Sequence, residues 1–445
     1  MRRLTQRIEK FTAHLTPLRS GESPLYVLSF IVIALLYSMP LILPTHMGSG
    51  YIALSLIMSI ISVLLWRGRN FSPQNQLIIS IAICVLLFPL LPFTSNDSER
   101  YLWDGAVFLN GFDPYIYAPN DAALSDLRAL WPTPEEHANY ATLYPPGALT
   151  LFSICALAGP VYGIWVWKGI LAASAVISLI FLQKLLACRG NIKAFSLFAF
   201  SPLFLFEAQA GAHLDIICVL GIVAGLYSIE KNALITAGII IGLAATVKFL
   251  PAVIIGPFLF YLKPRRALYL CLSAAFTWIS LYALMFGLGY KPLGLLPTFF
   301  EKWRGGAPIY PLLEAVQATL KLSQIHFFSL LAALAVTGFT LSAWLAKRGH
   351  INIAIAVSLA VPLILSPVLF PWYLLMLLPL LALRPNMTLF VTITLVPFSY
   401  EVLDKWLSIG QWSQAAWPAY ILLIAIICGL LFDLTQRRYS RPVQP

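Results

Sequence analysis

The chain has 445 residues, 60% of them hydrophobic and 11% charged, with a mean hydropathy of +0.83. A soluble domain carries roughly 25% charged residues, so a soluble enzyme and a disordered chain are both excluded. The net charge of +11 sits on this apolar background, where basic residues gather on the cytoplasmic side of a membrane and set orientation; it does not point to nucleic acid.

Residues 1–24 are polar and basic (Arg2, Arg3, Arg7, Lys10) and are expected to form a cytoplasmic segment. Apolar runs near the length of a hydrocarbon core then recur to the end of the chain. Inside lipid each backbone amide must be paired locally, which favours helices. The runs place spans near 25–44, 51–66, 76–93, 163–187, 194–208, 212–229, 232–247, 249–262, 267–289, 326–345, 351–368, 371–385, 388–403 and 416–433. The expectation is an all-α polytopic membrane protein with about 13–14 transmembrane helices, a membrane domain over 25–433 and a basic cytoplasmic tail over 434–445. The six cysteines are scattered through apolar sequence without a C-x-x-C pair, so neither a disulfide framework nor a zinc site is expected.

The positive-inside bias puts Arg67, Arg69, Lys184, Arg189, Lys193, Lys263, Arg265, Arg266, Lys347, Arg348, Arg384, Arg437, Arg438 and Arg441 with the N-terminus. Alternation holds if the apolar piece from Pro146 to Pro160 does not cross fully. Two long loops, 94–145 and 290–325, then lie outside. So do tight turns carrying His213 with Asp215, Lys248, and "PVLFPWY" (Pro367–Tyr373).

Eight of the chain's 18 acids sit in loop 94–145. From Asp97 to Leu109 the spacing predicts a helix lying at the membrane surface. Asp97, Arg100, Tyr101, Asp104 and Phe108 share one side, and Leu102, Ala106 and Leu109 the other. Gly111 ends it, and Pro114 disfavours helix at Asp113. A second surface helix is expected from Thr133, where Thr133 and Glu136 form a capping box with Pro134 at the first helical position. Such a loop would hold carboxylates where headgroups meet water.

The ordered fragments "RYLWDG…NGFDPYIYAPND", "YPPG", "HLD", "VKFLP" and "PWYLL" resemble the GT-C superfamily of integral-membrane glycosyltransferases. They are similar above all to bacterial polyprenyl-phosphate-mannose-dependent enzymes. The resemblance covers about 94–375. It implies a multi-pass protein of the bacterial cytoplasmic (inner) membrane with its active site facing the periplasm. It also implies a polyprenyl-phosphate hexose donor, mannose above others, a lipid-linked or envelope glycan acceptor, and inversion at the anomeric carbon. The general base of such enzymes is an acid in the first large outer loop, which here matches Asp97. Relatives often carry two adjacent acids there. This chain has Asn96-Asp97, which leaves a divalent metal without a clear ligand set, and no cofactor is expected.

Polyprenyl phosphate leaves as a stable anion, so one carboxylate suffices to deprotonate the acceptor, unlike the acid and base pair of hydrolases. Asp104 is a second candidate, as base or as a ligand of sugar hydroxyls. Arg100, one turn from Asp97, either binds phosphate or pairs with a neighbour. His213 and Asp215 stand at a span's edge, where ionisable residues tend to be functional. Lys248, between two apolar runs, is placed to hold the donor phosphate. Arg304, in "FFEKWRGGAPIY", suits phosphate through paired hydrogen bonds. Trp372 and Tyr373 either stack on sugar or anchor a span. Two other readings stay open: a transporter or flippase of lipid-linked sugar, and a non-catalytic subunit that binds polyprenyl lipid.

Overall fold

The computed structural model describes residues 23–68, 72–133, 135–292 and 294–439. Most of the expected basic N-terminal segment lies outside them, as do Arg69 and the end of the tail. Every regular element among the described residues is helical. Two isolated bridges join Gly305 and Gly306 to Val368, which ties loop 290–325 to the "PVLFPWY" turn.

Seven stretches are long and apolar enough to cross a membrane: Ser23–Ile42, Met47–Arg67, Gly159–Cys188, Pro264–Gly287, Gln324–Lys347, Met387–Ile409 and Trp417–Gln436. The chain is thus an all-α, multi-pass membrane protein. Between them lie shorter apolar helices at Pro73–Leu87, Leu234–Val247, Leu250–Tyr261, Ile351–Ile364 and Pro371–Leu383. The expected span 194–208 is two pieces, Phe195–Ala199 and Pro202–Gln209. Proline explains several breaks, because it lacks an N–H and its ring clashes with the preceding turn. Pro202 opens the second piece; Pro251, Pro371 and Pro397 each sit in the first turn of a 3-10 segment. The broken elements Leu250–Tyr261 and Pro371–Leu383 both begin at the cavity described below.

Pro146–Ala156 forms a helix of 11 residues. At 1.5 Å per residue it spans about 16 Å, half of a hydrocarbon core. The next helix, Gly159–Cys188, has 30 residues and does reach that length.

The predicted helix in loop 94–145 forms with the bounds Asp97–Leu109. It does not lie on the surface as its pattern suggests. Ser98 and every residue from Arg100 to Val107 are buried, because Pro146–Ala156 covers one side and Gly159–Cys188 another. Gly105 allows this approach: a Cβ there would lie 2.3 Å from the Phe152 carbonyl oxygen. Tyr101 stacks on Phe152 at 4.6 Å and meets Trp167 edge-on at 5.3 Å, contacts that contribute about 0.5–1.5 kcal/mol each beyond area burial. The expected second helix from Thr133 is reduced to one 3-10 turn, Glu135–His137. Pro134 and the Glu136 side chain of its capping box lie outside the described residues. Short helical turns at Ala122–Leu124 and Ser125–Arg128 come earlier, the first capped by Asp121, whose side chain accepts from the Ala123 amide.

The centre of the protein is built from Gly159–Cys188, Pro202–Gln209 and Asp215–Glu230. All eight residues of Pro202–Gln209 are buried. By contrast, Pro264–Gly287, Gln324–Lys347 and Trp417–Gln436 expose rows of large apolar side chains such as Leu272, Phe276, Val336 and Ile424, as helices facing lipid do.

Candidate active site

The loop helix Asp97–Leu109 carries Asp97 and Glu99 in its first turn, where the helix dipole favours negative charge. Its register is held by a buried cluster. Arg100 Nε donates to Asp104 Oδ1 at 2.8 Å, and Thr142 Oγ1 donates to Asp104 Oδ2 at 2.5 Å. Arg100 Nη1 also reaches the His137 carbonyl at 3.2 Å. Desolvation pushes the Asp104 carboxyl above its ordinary range, while Arg100 and Thr142 pull the other way. The pair clamps the helix to the chain at 137–142.

Next to this clamp is a cavity of about 1030 Å³. One wall is the start of the loop helix, Asp97 to Tyr101; another is the segment from Tyr140 to Tyr144. Ile164, Leu250, Val253 and Leu363 give it an apolar side. Lys248, Lys302 and Arg304 supply positive charge, and Trp372, Tyr373, Trp406 and Trp412 supply aromatic surface. The Asp97 side chain is 21% exposed and accepts a 3.4 Å hydrogen bond from the Tyr101 hydroxyl at Oδ2.

Behind the wall lies a chain of polar contacts. The Asp97 carboxylate is 3.8 Å from His213 Nε2, and Ser95 Oγ is 3.0 Å from the same nitrogen. His213 Nδ1 contacts Glu207 Oε2 at 2.9 Å. Glu207 Oε1 accepts from Tyr51 at 2.8 Å and from Tyr400 at 2.7 Å. Both Glu207 and His213 are fully buried. Trp372 stacks on the imidazole at 3.7 Å with the planes 10° apart. The turn is tight: Ala212 adopts φ of +52°, and its carbonyl accepts from Trp167 Nε1 at 2.9 Å.

Lys248 Nζ is 2.8 Å from Asp215 Oδ1 and 3.8 Å from the centre of the Tyr373 ring. Asp215 Oδ2 has no hydrogen-bond partner. Arg304 pairs with Glu314 at 2.9 Å on the rim.

Residues 22–264, more than half of the 445, match the model of a family described as alpha-(1->6)-mannopyranosyltransferase, N-terminal domain. The chain belongs to the alpha-(1->6)-mannopyranosyltransferase family. The family is one of mannosyltransferases, so the coarse activity is glycosyl transfer. No curated protein and no solved structure matches the chain. The matched part of this family member holds Asp97, Arg100, Asp104, His213, Asp215 and Lys248. Arg304, Trp372 and Tyr373 lie beyond it and complete the cavity.

Of the residues singled out in the sequence, Asp97, Arg100, Lys248, Arg304, Trp372 and Tyr373 line the cavity. Asp104, His213 and Asp215 stand behind its wall, each bonded to another side chain. Among the described residues, no group of three or more His, Cys, Asp or Glu side chains converges as metal ligands would. Sequence reasoning missed Glu207, Tyr51 and Tyr400. Glu207 had a signal: it is the one charged residue in the apolar run "FSLFAFSPLFLFEAQAGA", and a carboxylate in such a setting must find donors.

Proposed function

We propose that this glycosyltransferase moves mannose from a polyprenyl-phosphate mannose to a hydroxyl of a lipid-linked or envelope glycan, at the outer face of the bacterial cytoplasmic membrane. One observation carries the reading: a single cavity joins a partly exposed carboxylate, Asp97, to three cations, Lys248, Lys302 and Arg304, and to an apolar side. That combination suits a lipid phosphate whose tail stays in the bilayer. Asp97 removes the acceptor proton as the new glycosidic bond forms. The cations stabilise the departing phosphate, so no acid is needed to protonate it. The sugar arrives already activated, and no nucleotide or other cofactor takes part.

The linkage in the family description adds a constraint. An α-(1→6) product made with inversion requires a β-linked mannosyl phosphate. Its acceptor is a primary C6 hydroxyl, a weak acid that needs a base. The test is to give the purified protein labelled mannosyl polyprenyl phosphate or a nucleotide-activated mannose, each with a lipid extract of a bacterial envelope. Label transferred from the polyprenyl donor alone supports the proposal. Transfer from the nucleotide sugar, or movement of labelled lipid across vesicles with no product, overturns it.

A further inference from the structure

We propose that Glu207 and His213 form a buried proton acceptor behind Asp97, so that the base of this enzyme is a relay rather than one carboxylate. The inference rests on the general-base role given to Asp97 above. Three donors converge on Glu207: the hydroxyls of Tyr51 and Tyr400, at 2.8 and 2.7 Å, and His213 Nδ1 at 2.9 Å. Carboxylates accept and hydroxyls donate, so Glu207 is arranged as an anion and fixes the proton of His213 on Nδ1. The lone pair of Nε2 then faces Ser95 Oγ at 3.0 Å and Asp97 Oδ2 at 3.8 Å. That second distance is about 1 Å longer than a hydrogen bond, so the relay requires the carboxylate to approach the ring by that much during transfer.

During transfer, the acceptor oxygen bonds to the anomeric carbon while the bond from that carbon to the phosphate oxygen breaks. Its electron pair leaves with the polyprenyl phosphate. The acceptor proton passes to Asp97 and on to His213 Nε2. The resulting imidazolium lies between two carboxylates, which offset the cost of a buried cation. The proton returns through Asp97 to water in the cavity before the next turnover. Trp372, stacked on the face of the ring at 3.7 Å, restrains its orientation.

The titratable groups facing the pair are Asp97 on the loop helix, Tyr51 on Met47–Arg67, Tyr400 on Val396–Glu401, and Asp215, which opens the following helix. Among the described residues no lysine or arginine is bonded to either member. The imidazole is thus held by hydrogen bonds to hydroxyl and carboxylate groups on both of its nitrogens or beside them. A purely structural pair would hold the turn equally well with an uncharged amide in place of Glu207.

The test measures kcat and KM for mannose transfer across pH in reconstituted wild type, Glu207→Gln, His213→Gln and Ser95→Ala. The first two are expected to lose about tenfold or more in kcat near neutral pH, short of the roughly 10²–10⁴ that removal of the base itself costs. Donor KM should stay within about twofold, and the deficit should shrink as pH rises, because hydroxide then takes the proton from Asp97. Ser95→Ala, at a partly exposed position, removes the hydroxyl that fixes His213 Nε2; it should show a smaller deficit with the same pH dependence, and decides the matter if the buried variants do not fold. A deficit that is flat with pH, or carried by KM, overturns the relay. A wild type that transfers no mannose overturns the donor reading and the relay with it; an active wild type with unaffected variants overturns the relay alone.

Discussion

Lys248 reaches the cavity while Asp215, 2.8 Å from its Nζ, stays fully buried with its second oxygen unpartnered. The carboxylate therefore depends on this one ammonium. Lys248→Met strands a buried charge, which costs about 3–5 kcal/mol. Adding Asp215→Asn in the same chain should restore most of the stability, yet donor KM should stay raised in the double variant, because the phosphate has lost a cation. Thermal unfolding in detergent and donor KM, measured on both variants, check the two halves separately.

The Arg100–Asp104 pair, which clamps the loop helix, is expected to give the opposite pattern. Asp104→Ala leaves a buried guanidinium and should destabilise by about 3–5 kcal/mol. Replacing both with apolar residues should recover much of that, with KM little changed. Arg100→Ala has a definite pH signature. Burial already raises the Asp104 carboxyl, and Arg100 is the foremost group opposing that rise; without it the folded-state value climbs further above the unfolded one. The folded state then holds the proton more tightly, so stability is fully present below the unfolded value and is lost as pH rises through the folded one. Unfolding temperature against pH tests this.

Gly211 permits the contact between Glu207 and His213. A Cβ at this position would lie 2.4 Å from His213 Nδ1 and 2.5 Å from Glu207 Oε2. Gly211→Ala should push the pair apart and cost about 1–3 kcal/mol, as overpacking does. It should also lower kcat without a matching change in donor affinity. Steady-state kinetics with calorimetric donor binding would show it.

Lys302 and Arg304 act at the rim, where both are exposed and Arg304 is shared with Glu314. Exposed charges contribute little each, so the expected effect is modest. Changing both to alanine should raise donor KM about tenfold, more at low salt than at high salt, with kcat held. The salt dependence separates phosphate attraction from a mere change of loop shape.

Much of this was legible in the sequence because membrane helices announce themselves by length and hydropathy. The bounds of Asp97–Leu109 followed from periodicity. Burial of the loop helix was not legible. Its apolar and polar sides suit a surface helix, and the polar side is covered because Asp104 finds Arg100 and Thr142, a contact 38 residues apart in sequence. Glu207 escaped for a related reason. Its partners Tyr51 and Tyr400 lie 156 and 193 residues away, and no local pattern encodes such a meeting. The same limit hid which of Asp97, Asp104, His213 and Asp215 meets the cavity.

The most direct measurement is the initial rate of mannose transfer by Asp97→Asn, beside its binding of the polyprenyl donor and its unfolding temperature. The predicted result is a rate reduced by about 10²–10⁴, with donor affinity and unfolding temperature close to wild type. Retention of more than a tenth of the wild-type rate by a folded Asp97→Asn protein would contradict the assignment of Asp97 as the base.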